Sequence, residues 1–490
     1  MDNYVEHALT KTKIVATVGP ACDSYEGLQR LVTAGVDLFR LNFAHAQHDV
    51  LSRVVADVRR IAEELDRPVA FLADLSGPKI RLGELPEDGL EVGKDQRYTF
   101  VRQRTADSPP EHLDSTYPGL VDDLDVDDRV LLADGTVVMR VVETDADSAT
   151  CTVEQPGLLR SRQGINLPNV KLSLPSLTDK DLEDLAWALE NEIGFIGLSF
   201  VRDPEDIRDL RRRIDASGAT HRPSIVAKIE KPEAVERLDD ILAETDVVMV
   251  ARGDLGVEVD IARVPAIQKR IIRKCNELRI PVITATQMLD SMQHSELPTR
   301  AEASDVANAV LDGSDAVMLS GETAIGKHPN RTVAMMSRII HETEPLVVSR
   351  KELPLGFDRQ KNTATEMTRS VTLGAIHAAE RLGARLLAVT TRSGTTAAAV
   401  SELRSPIPVL ALTDDPRTAQ RLCVCWGVRP VVTDACTGSP HEIHDFIVRW
   451  GKAHGSVEAG DLIVIVATTD WSRPGKNVML VEEVPNGTTT

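Results

Sequence analysis

Short apolar runs alternate with amphipathic segments along the first part of this chain. The first runs are KIVATVG from Lys13, DLFRLN from Asp37 and VAFLAD from Val69. An apolar run of this length followed by helical periodicity, as around residues 25–33, predicts a strand followed by a helix. The chain therefore begins as an α/β protein with parallel strands.

The strand–helix pattern stops at GPKIRLG and resumes near Leu174. The residues between alternate polar and apolar side chains, as in DRVLLADGTVVMRVVE, where ADG favours a hairpin turn. We interpret residues 80–173 as a small β-barrel cap domain. It is inserted into an α/β domain made of residues 1–79 and 174–345.

Residues 224–256 are the stretch around which the α/β domain is predicted to be organised. SIVAK and VVMVA are strands, and the helix between them has one apolar face, formed by Val235, Leu238, Ile241 and Leu242. GFIGLSF, IPVITAT and DAVMLS add three more strands. The total is eight strand–helix units, the number that a closed (β/α)8 TIM barrel needs.

A smaller α/β domain is predicted for residues 346–490. A helix over 365–382 precedes the strands LLAVT, IPVLAL, VRPVV, DLIVIVAT and NVMLVEEV. The first strand runs into a loop that opens a helix, where backbone N–H groups, hydroxyls and a guanidinium are suited to bind phosphate. An ordinary capped helix explains the pattern equally well. The loop residues are Thr391, Arg392, Ser393, Gly394, Thr395 and Thr396.

Polar residues stand where the predicted barrel strands end. TIM barrels carry their chemistry at this rim, and chance salt bridges would not favour one end of the barrel. Carboxylates with a lysine and an arginine suit a divalent metal and an anion, although salt bridges that cap the strand ends are the simpler alternative. The residues are Arg40, Asn42, Asp74, Ser199, Lys228, Glu230, Arg252, Asp254, Thr286, Ser320 and Glu322.

Composition narrows the range of partners. The net charge of −19 argues against nucleic acid or an anionic membrane. The first residues lack an apolar signal core, and no window is apolar enough to span a bilayer. The six cysteines are scattered without zinc-ligand spacing, which is typical of reduced thiols in a cytoplasmic protein.

Seven segments occur in a characteristic order: TKIVATVGP, FRLNFAH, GPKIR, AKIE, ARGDLG, ATQML and PTRAEASDVANAVLDGSDAVMLSGETA. With them the chain resembles the pyruvate kinase family over nearly its whole length, more loosely in the cap and the C-terminal domain. The resemblance implies Mg²⁺- or Mn²⁺-dependent transfer of a phosphoryl group from phosphoenolpyruvate to ADP, giving pyruvate and ATP in the last step of glycolysis. It also implies a cytoplasmic homotetramer that a phosphorylated effector regulates at residues 391–396.

The resemblance also assigns roles at the rim. Glu230 and Asp254 hold the metal ion. Lys228 stabilises the transferring phosphoryl group and the enolate. The phosphate lies on Arg40. The resemblance further implies that the Gly253 and Asp254 N–H groups and Thr286 bind the substrate carboxylate, and that Ser199 belongs to the substrate site. Thr286 and Ser320 are implied to deliver a proton through water. The nucleotide is implied to lie beneath a closing cap, near Asn42, His45 and Arg81.

Two departures from the family pattern are informative. K⁺-requiring members hold the ion on four side chains; here Asn42 and Asp74 remain, whereas Ala44 and Leu75 cannot coordinate a cation. Lys79 stands where those members have glutamate, so K⁺ is predicted to be dispensable.

The second departure is in the cap. Gln163 replaces a lysine that often contacts the nucleotide, and Arg162 beside it is a candidate substitute.

Two other functions, a lyase or mutase and a binder without catalysis, are alternatives to a kinase. Magnesium-dependent lyases and mutases that stabilise an enolate use related barrels, but they lack the inserted cap and the C-terminal domain. A regulatory binder that has lost catalysis would be expected to lose Lys228, Glu230, Asp254 or Thr286 first, and all four are present.

Overall fold

The computed structural model describes residues 10–44, 46–105, 107–168, 170, 172–347, 366–468, 471 and 477–486. The prediction for His45 lies outside these residues. The first strand–helix units follow the apolar runs closely, because each run is long enough to cross a buried sheet once. The elements are β1 (Lys13–Thr17), α1 (Tyr25–Ala34), β2 (Leu38–Asn42), α2 (His48–Glu64) and β3 (Ala70–Leu75).

A β-rich segment follows β3, as the alternating pattern predicts. It forms a six-stranded sheet, in the order β11-β7-β8-β9-β5-β6, and a two-stranded sheet of β10 and β4. Its own apolar core includes Phe100, Val130 and Met139. The elements are β4 (Leu90–Val92), β5 (Arg97–Val101), β6 (His112–Leu113), α3 (Leu120–Asp123), β7 (Arg129–Leu132), β8 (Val137–Thr144), β9 (Ser148–Gln155), β10 (Gly157–Leu159) and β11 (Ile165–Asn166).

The strand–helix pattern then resumes where the sequence predicts. Capping boxes at Thr178, Asp203 and Thr299 begin three of the helices. The elements are α4 (Asp179–Glu190), β12 (Phe195–Leu198), α5 (Pro204–Ala216), β13 (Ser224–Ile229), α6 (Pro232–Glu236), α7 (Leu238–Glu244), β14 (Val247–Ala251), α8 (Arg252–Glu258), α9 (Val264–Leu278), β15 (Val282–Ala285), α10 (Arg300–Asp312), β16 (Ala316–Leu319), α11 (Gly321–Ala324) and α12 (Pro329–Thr343).

One detail of this region differs from the prediction. The single helix expected between SIVAK and VVMVA is two helices, α6 and α7, which meet at Arg237 with ψ at 24°. The apolar face itself is as predicted: Val235, Leu238, Ile241 and Leu242 are all buried. The break therefore changes the direction of the helix without exposing its apolar side chains.

Eight parallel strands close into a barrel in the order β1-β16-β15-β14-β13-β12-β3-β2. Side chains between the barrel and its outer helices form the largest apolar core. The predicted TIM barrel is confirmed, and the parallel direction of the strands brings all their carboxyl ends to one rim.

The C-terminal domain packs against the opposite end of the barrel. Its five strands have the order β19-β18-β17-β20-β21, with β21 antiparallel to β20. Lys13, at the start of β1, donates from Nζ to the Val428 carbonyl at 2.7 Å, and Arg404 pairs with Asp315 at 2.8 Å. The elements are α13 (Glu366–Leu382), β17 (Leu386–Thr390), α14 (Thr395–Ser401), β18 (Val409–Thr413), α15 (Pro416–Leu422), β19 (Val428–Val432), α16 (Pro440–Ala453), β20 (Leu462–Thr468) and β21 (Asn477–Glu483).

The cap is joined to the barrel by two crossings that pair with each other. The Leu82 N–H donates to the Gln163 carbonyl at 2.8 Å, and the Ile165 N–H donates to the Ile80 carbonyl at 2.9 Å. Arg202 holds the return segment by donating to the carbonyls of Leu172 and Leu174. The cap therefore stands over the carboxyl rim of the barrel.

Two further expectations concern the cysteines and the membrane. All six cysteines are free, as expected of reduced thiols, and all six are buried. Burial raises the pKa of the Cys423 and Cys425 thiols to about 12, so both stay protonated at neutral pH. Among the helices of the described ranges, none is long and apolar enough to cross a membrane.

Candidate active site

A chain of alternating charges crosses the carboxyl rim of the barrel. Asp74, near the end of β3, is 2% exposed, and its Oδ2 accepts a hydrogen bond from Arg40 Nε at 2.7 Å. Its Oδ1 lies 3.3 Å from Lys228 Nζ, which is also 2.9 Å from Glu230 Oε1. Three separate strands, β2, β3 and β13, thus bring four predicted site residues together.

The ammonium of Lys228 is further held by a neutral partner. Lys228 Nζ donates to Ser199 Oγ at 2.7 Å, and the Ser199 hydroxyl donates to the Leu75 carbonyl at 2.7 Å. Ser199 directly follows β12, so the predicted polar residue at that strand end fixes the Lys228 side chain. Lys228 and Glu230 are two residues apart, and the alternation of side chains along a strand sends both to the same side.

The charges in this chain shift one another's pKa values. Burial alone would raise the pKa of Asp74, but Lys228 and Arg40 hold it below its usual value. Burial alone would lower the pKa of Lys228, but Asp74 and Glu230 raise it. Lys228 therefore keeps its proton and its positive charge at neutral pH.

Glu230 and Asp254 have the properties of ligands for a divalent cation. Glu230 is buried, and its Oε2 accepts the Phe200 N–H at 2.8 Å. Burial raises the pKa of Glu230, the negative charge of Asp254 adds to the effect, and Lys228 opposes it. Asp254 thus lies close enough to disfavour the charge of Glu230, and carboxylate oxygens are ligands that Mg²⁺ prefers. The residues present fit the predicted metal ion.

Thr286 is held in an unusual backbone conformation at the end of β15. Its φ is 67°, in the left-handed region that is disfavoured for β-branched residues. The Thr286 Oγ1 accepts the Gly253 N–H at 2.7 Å, and the hydroxyl donates to the Ala285 carbonyl at 2.7 Å. Such strain persists only where neighbouring contacts enforce it, and it concentrates at functional sites.

The loop after β16 is organised by a buried carboxylate. Glu322 accepts the Ser320 N–H at 2.7 Å and the Leu289 N–H at 3.1 Å. Burial raises the pKa of Glu322, whereas these backbone N–H groups oppose the rise. Ser320 Oγ is buried and has no hydrogen-bond partner among the described residues. Its hydroxyl thus remains available at the rim.

Arg252 has a different place from the one its position at the strand end suggests. Its guanidinium pairs with Asp305 at 2.6 Å and donates to the carbonyls of Thr286 and Ala285. It therefore braces the loop after β15 and is already paired, so it does not serve as a free anion-binding group. The sequence does not reveal this, because Asp305 lies 53 residues further along the chain.

Comparisons with known proteins identify the family to which the chain belongs. A model of the pyruvate kinase barrel domain matches residues 9–333, and a model of the pyruvate kinase alpha/beta domain matches residues 369–482. The chain belongs to the pyruvate kinase family. Members are phosphotransferases with phosphoenolpyruvate, ADP, pyruvate and ATP as substrates and products, so the predicted family and enzyme class are confirmed.

Individual relatives agree over nearly the whole chain. A pyruvate kinase of Geobacillus stearothermophilus is 40% identical over 482 residues, covering 97% of this chain and 80% of the relative. One of Clostridium acetobutylicum is 38% identical over 476 residues, covering 97% of this chain and 100% of the relative. The crystal structure of a pyruvate kinase from Cryptosporidium parvum has a TM-score of 0.88 and 32% identity, covering 97% of this chain and 96% of that one.

Of the expected nucleotide residues of this pyruvate kinase family member, Arg81 lies at the crossing into the cap and Asn42 lies at the end of β2. Arg81 is half-buried, pairs with Gly164 through a β-bridge and donates to the Arg162 carbonyl at 3.0 Å. Asn42 Oδ1 accepts the Ala44 N–H at 3.2 Å. A cleft opens between barrel and cap. Its walls include Lys79, Asn166, Phe200, Arg202 and Lys231.

The two cap residues that depart from the family pattern have partners inside the cap. Arg162 Nε pairs with Glu84 Oε1 at 2.7 Å. Gln163 Oε1 accepts the Arg160 N–H at 2.8 Å. Both contacts are exposed, so a nucleotide can compete for these side chains.

The predicted effector loop is locally ordered by its own hydroxyls. The Gly394 N–H donates to Thr391 Oγ1 at 3.0 Å, and φ of Gly394 is 85°. The Arg392 carbonyl accepts the Thr418 hydroxyl at 3.0 Å, and Thr418 Oγ1 in turn accepts Arg421 Nη2 at 2.6 Å. Burial lowers the pKa of Arg421. The structure thus brings to the loop a second basic residue that sequence reasoning missed.

Sequence reasoning also missed a contact between the barrel and the cap. Lys231 Nζ lies 2.6 Å from Glu258 Oε1, and Asn166 Nδ2 donates to the same oxygen at 2.9 Å. A signal was available in the sequence, since Lys231 follows Glu230 and Glu258 comes one helical turn after Asp254. The sequence carries no signal for Asn166, because Asn166 belongs to the cap and Glu258 to the barrel.

We predict that Ser199→Ala lowers kcat about tenfold, because a hydrogen bond to a charged group contributes roughly 1.5–3 kcal/mol and its loss frees the Lys228 ammonium to move. Steady-state kinetics at saturating substrates measure this. Ser401→Ala is a matched control, since Ser401 is buried and donates to the Trp426 carbonyl at 2.7 Å in the C-terminal domain. Equal kcat values for the two variants would contradict the role of Ser199.

Proposed function

We propose that this chain is a Mg²⁺-dependent pyruvate kinase that transfers the phosphoryl group of phosphoenolpyruvate to ADP, with the residues of the carboxyl rim in the roles that the family resemblance implies. The observation that supports it most is the chain of charges from Arg40 through Asp74 and Lys228 to Glu230, with Asp254 close enough to influence the pKa of Glu230. The proposed domains are 1–79 with 174–345, 80–173 and 346–490.

In the proposed mechanism, Glu230 and Asp254 would hold the metal ion, which would supply positive charge to offset the negative charge of the transferring group. Arg40 binds the phosphoryl group. The N–H groups of Gly253 and Asp254 and the hydroxyl of Thr286 receive the substrate carboxylate, which requires the hydrogen bonds from Gly253 to Thr286 and from Thr286 to Ala285 to open. Phosphoryl transfer requires mainly positioning and charge neutralisation from the protein.

The bond from phosphorus to the enol oxygen breaks as an oxygen of ADP attacks phosphorus. Lys228 stabilises the enolate that is left, because its ammonium is buried and charged. Carbon 3 of the enolate must then take a proton, for which Thr286 and Ser320, acting through water, are the proposed donors. The nucleotide lies near Asn42, His45 and Arg81, and closure of the cap excludes competing water.

The two alternatives from the sequence are less well supported. The family assignment favours a kinase over a lyase or mutase on a related barrel. A binder without catalysis would not need the strained Thr286 or the fully paired Lys228.

We also propose a homotetramer built on barrel and C-terminal faces, which light scattering can test. A cytoplasmic location stays a prediction.

Lys228→Met is expected to lower the rate of phosphoryl transfer at least a thousandfold, since the enolate loses its fixed positive charge (about 4 kcal/mol). A coupled assay of phosphoenolpyruvate and ADP, with and without Mg²⁺, measures the rate, and circular dichroism checks the fold. Activity of the native protein without any divalent cation, or full activity of the folded variant, would contradict the proposal.

We expect full activity without K⁺. Ala44 and Leu75 offer no oxygen ligand from their side chains, and the charge of Asp74 is already matched by Arg40 and Lys228. Lys79 adds a further positive charge in the cleft between barrel and cap. Assays of the native protein and of the Lys79→Met variant, both in Na⁺-only or Tris buffer, test this. Turnover that is nearly absent in these buffers and restored by K⁺ would show the prediction to be wrong.

We expect a sigmoidal dependence of rate on phosphoenolpyruvate that one phosphorylated effector makes hyperbolic. Saturation curves alone and with AMP, glucose 6-phosphate, ribose 5-phosphate and fructose 1,6-bisphosphate identify it. Arg392→Ala should abolish the response and keep kcat, whereas Arg417→Ala, a nearby exposed arginine that donates to the Thr220 carbonyl, should keep both. A response that survives Arg392→Ala would exclude the loop of residues 391–396.

A further inference from the structure

Three residues meet at one carboxylate oxygen where the cap crosses the barrel, and we call Lys231, Glu258 and Asn166 the hinge bridge. Glu258 Oε1 receives Lys231 Nζ at 2.6 Å and Asn166 Nδ2 at 2.9 Å. The Lys231 and Glu258 side chains are 9% and 1% exposed. Glu258 Oε2 is buried and has no hydrogen-bond partner in the described part of the chain. Glu258 therefore depends on Lys231 to balance its charge.

The ion pair of the bridge joins the two segments that carry the proposed metal ligands. Lys231 follows Glu230 directly in the chain. Glu258 lies four residues after Asp254 in α8, so the two carboxylates project from the same face of one helix. The distance between Lys231 and Glu258 thus constrains the separation of Glu230 from Asp254.

A second contact connects Lys231 to Glu230. The Lys231 ammonium lies 6.0 Å from the centre of the Phe200 ring, and the Phe200 N–H donates to Glu230 Oε2. Phe200 itself has φ at 55°, a strained value for an aromatic residue. Lys231 therefore packs against the residue that orients the Glu230 carboxylate.

The third member of the bridge belongs to the cap. Asn166 ends β11, which pairs with β7 of the cap sheet, and the neighbouring Ile165 N–H donates to the Ile80 carbonyl in the outgoing crossing. Asn166 and Lys231 both line the cleft between cap and barrel. The hydrogen bond from Asn166 to Glu258 therefore ties the cap to the element that carries Asp254.

We propose that Lys231 and Glu258 are positioning residues that fix the spacing of Glu230 and Asp254, and that Asn166 couples this spacing to the position of the cap. The proposal rests on the proposed metal role of Glu230 and Asp254. Residues that orient metal ligands govern affinity for the ion without touching it. A buried pair serves this purpose because separating it leaves an uncompensated charge in a low-dielectric region.

The test measures binding of Mn²⁺ alone, by electron paramagnetic resonance titration of the full-length protein without substrates. Lys231→Met is expected to raise the dissociation constant of Mn²⁺ about tenfold. The double variant Lys231→Met/Glu258→Leu removes the ion pair without leaving a buried charge. It is expected to recover the thermal midpoint that the single variant loses, while the weak Mn²⁺ binding remains.

Asn166→Ala separates the cap from the metal ligands. The dissociation constant of Mn²⁺ is expected to stay unchanged, because both carboxylate segments remain tied. KM for ADP is expected to rise about fivefold at constant kcat, since a looser cap binds the nucleotide less well. Hydrogen exchange at residues 163–168 should become faster in the same variant.

Arg404→Met is the matched control, because it breaks a comparably buried ion pair, with Asp315, at the opposite end of the barrel. It should lower the thermal midpoint and leave Mn²⁺ binding unchanged. Native Mn²⁺ affinity in the folded double variant would overturn the positioning role, as would an equal loss in Arg404→Met. Unchanged KM for ADP and unchanged exchange in Asn166→Ala would overturn the coupling. A native protein that binds no Mn²⁺ would instead refute the proposed metal site, and the bridge proposal with it.

Discussion

The buried carboxylate of Asp74 is the constraint around which the rim is built. A carboxylate removed from water is tolerated only when it is paired, and Asp74 is paired on both sides, by Arg40 and by Lys228. Lys228 is in turn held charged by Asp74 and Glu230. The rim therefore keeps two positive charges fixed in a region of low dielectric before any substrate arrives, where they need no reorganisation to stabilise a phosphoryl group or an enolate.

The two ends of the barrel divide stability from chemistry. At the amino ends of the strands, Lys13 and Asp315 are buried against the C-terminal domain, and the apolar core inside the barrel continues into that domain. At the carboxyl ends lie the paired charges of Arg40, Asp74, Lys228 and Glu230. The left-handed residues Phe200 and Thr286 both follow barrel strands at the carboxyl rim. This arrangement is typical of TIM barrels, where the loops carry the reaction and the strands carry the fold.

How much the sequence predicts depends on how local the information is. The barrel, and the meeting of Lys228, Glu230 and Asp74, follow from strand polarity, because parallel strands bring their last residues to one rim. Arg252 stands at the same rim but turns to Asp305, a partner that no pattern near Arg252 indicates. Asn166 reaches Glu258 only because the cap folds back over the barrel. Contacts with distant segments that no local pattern marks thus escape prediction, whereas contacts among residues at the ends of parallel strands do not.

The proposed effector loop of the C-terminal domain is connected to the rim of the barrel through β16. The loop of residues 391–396 begins α14, and Arg404, three residues after that helix ends, has φ at 51° and pairs with Asp315. Asp315 immediately precedes β16, and Ser320 immediately follows it. A packed strand resists stretching, so if the proposed effector displaces α14, the displacement would act on the rim as a shift of the whole strand or through subunit contacts of the proposed homotetramer. Because close-packed interiors switch between discrete arrangements, such a shift would move the rim from one state to another without stable intermediates.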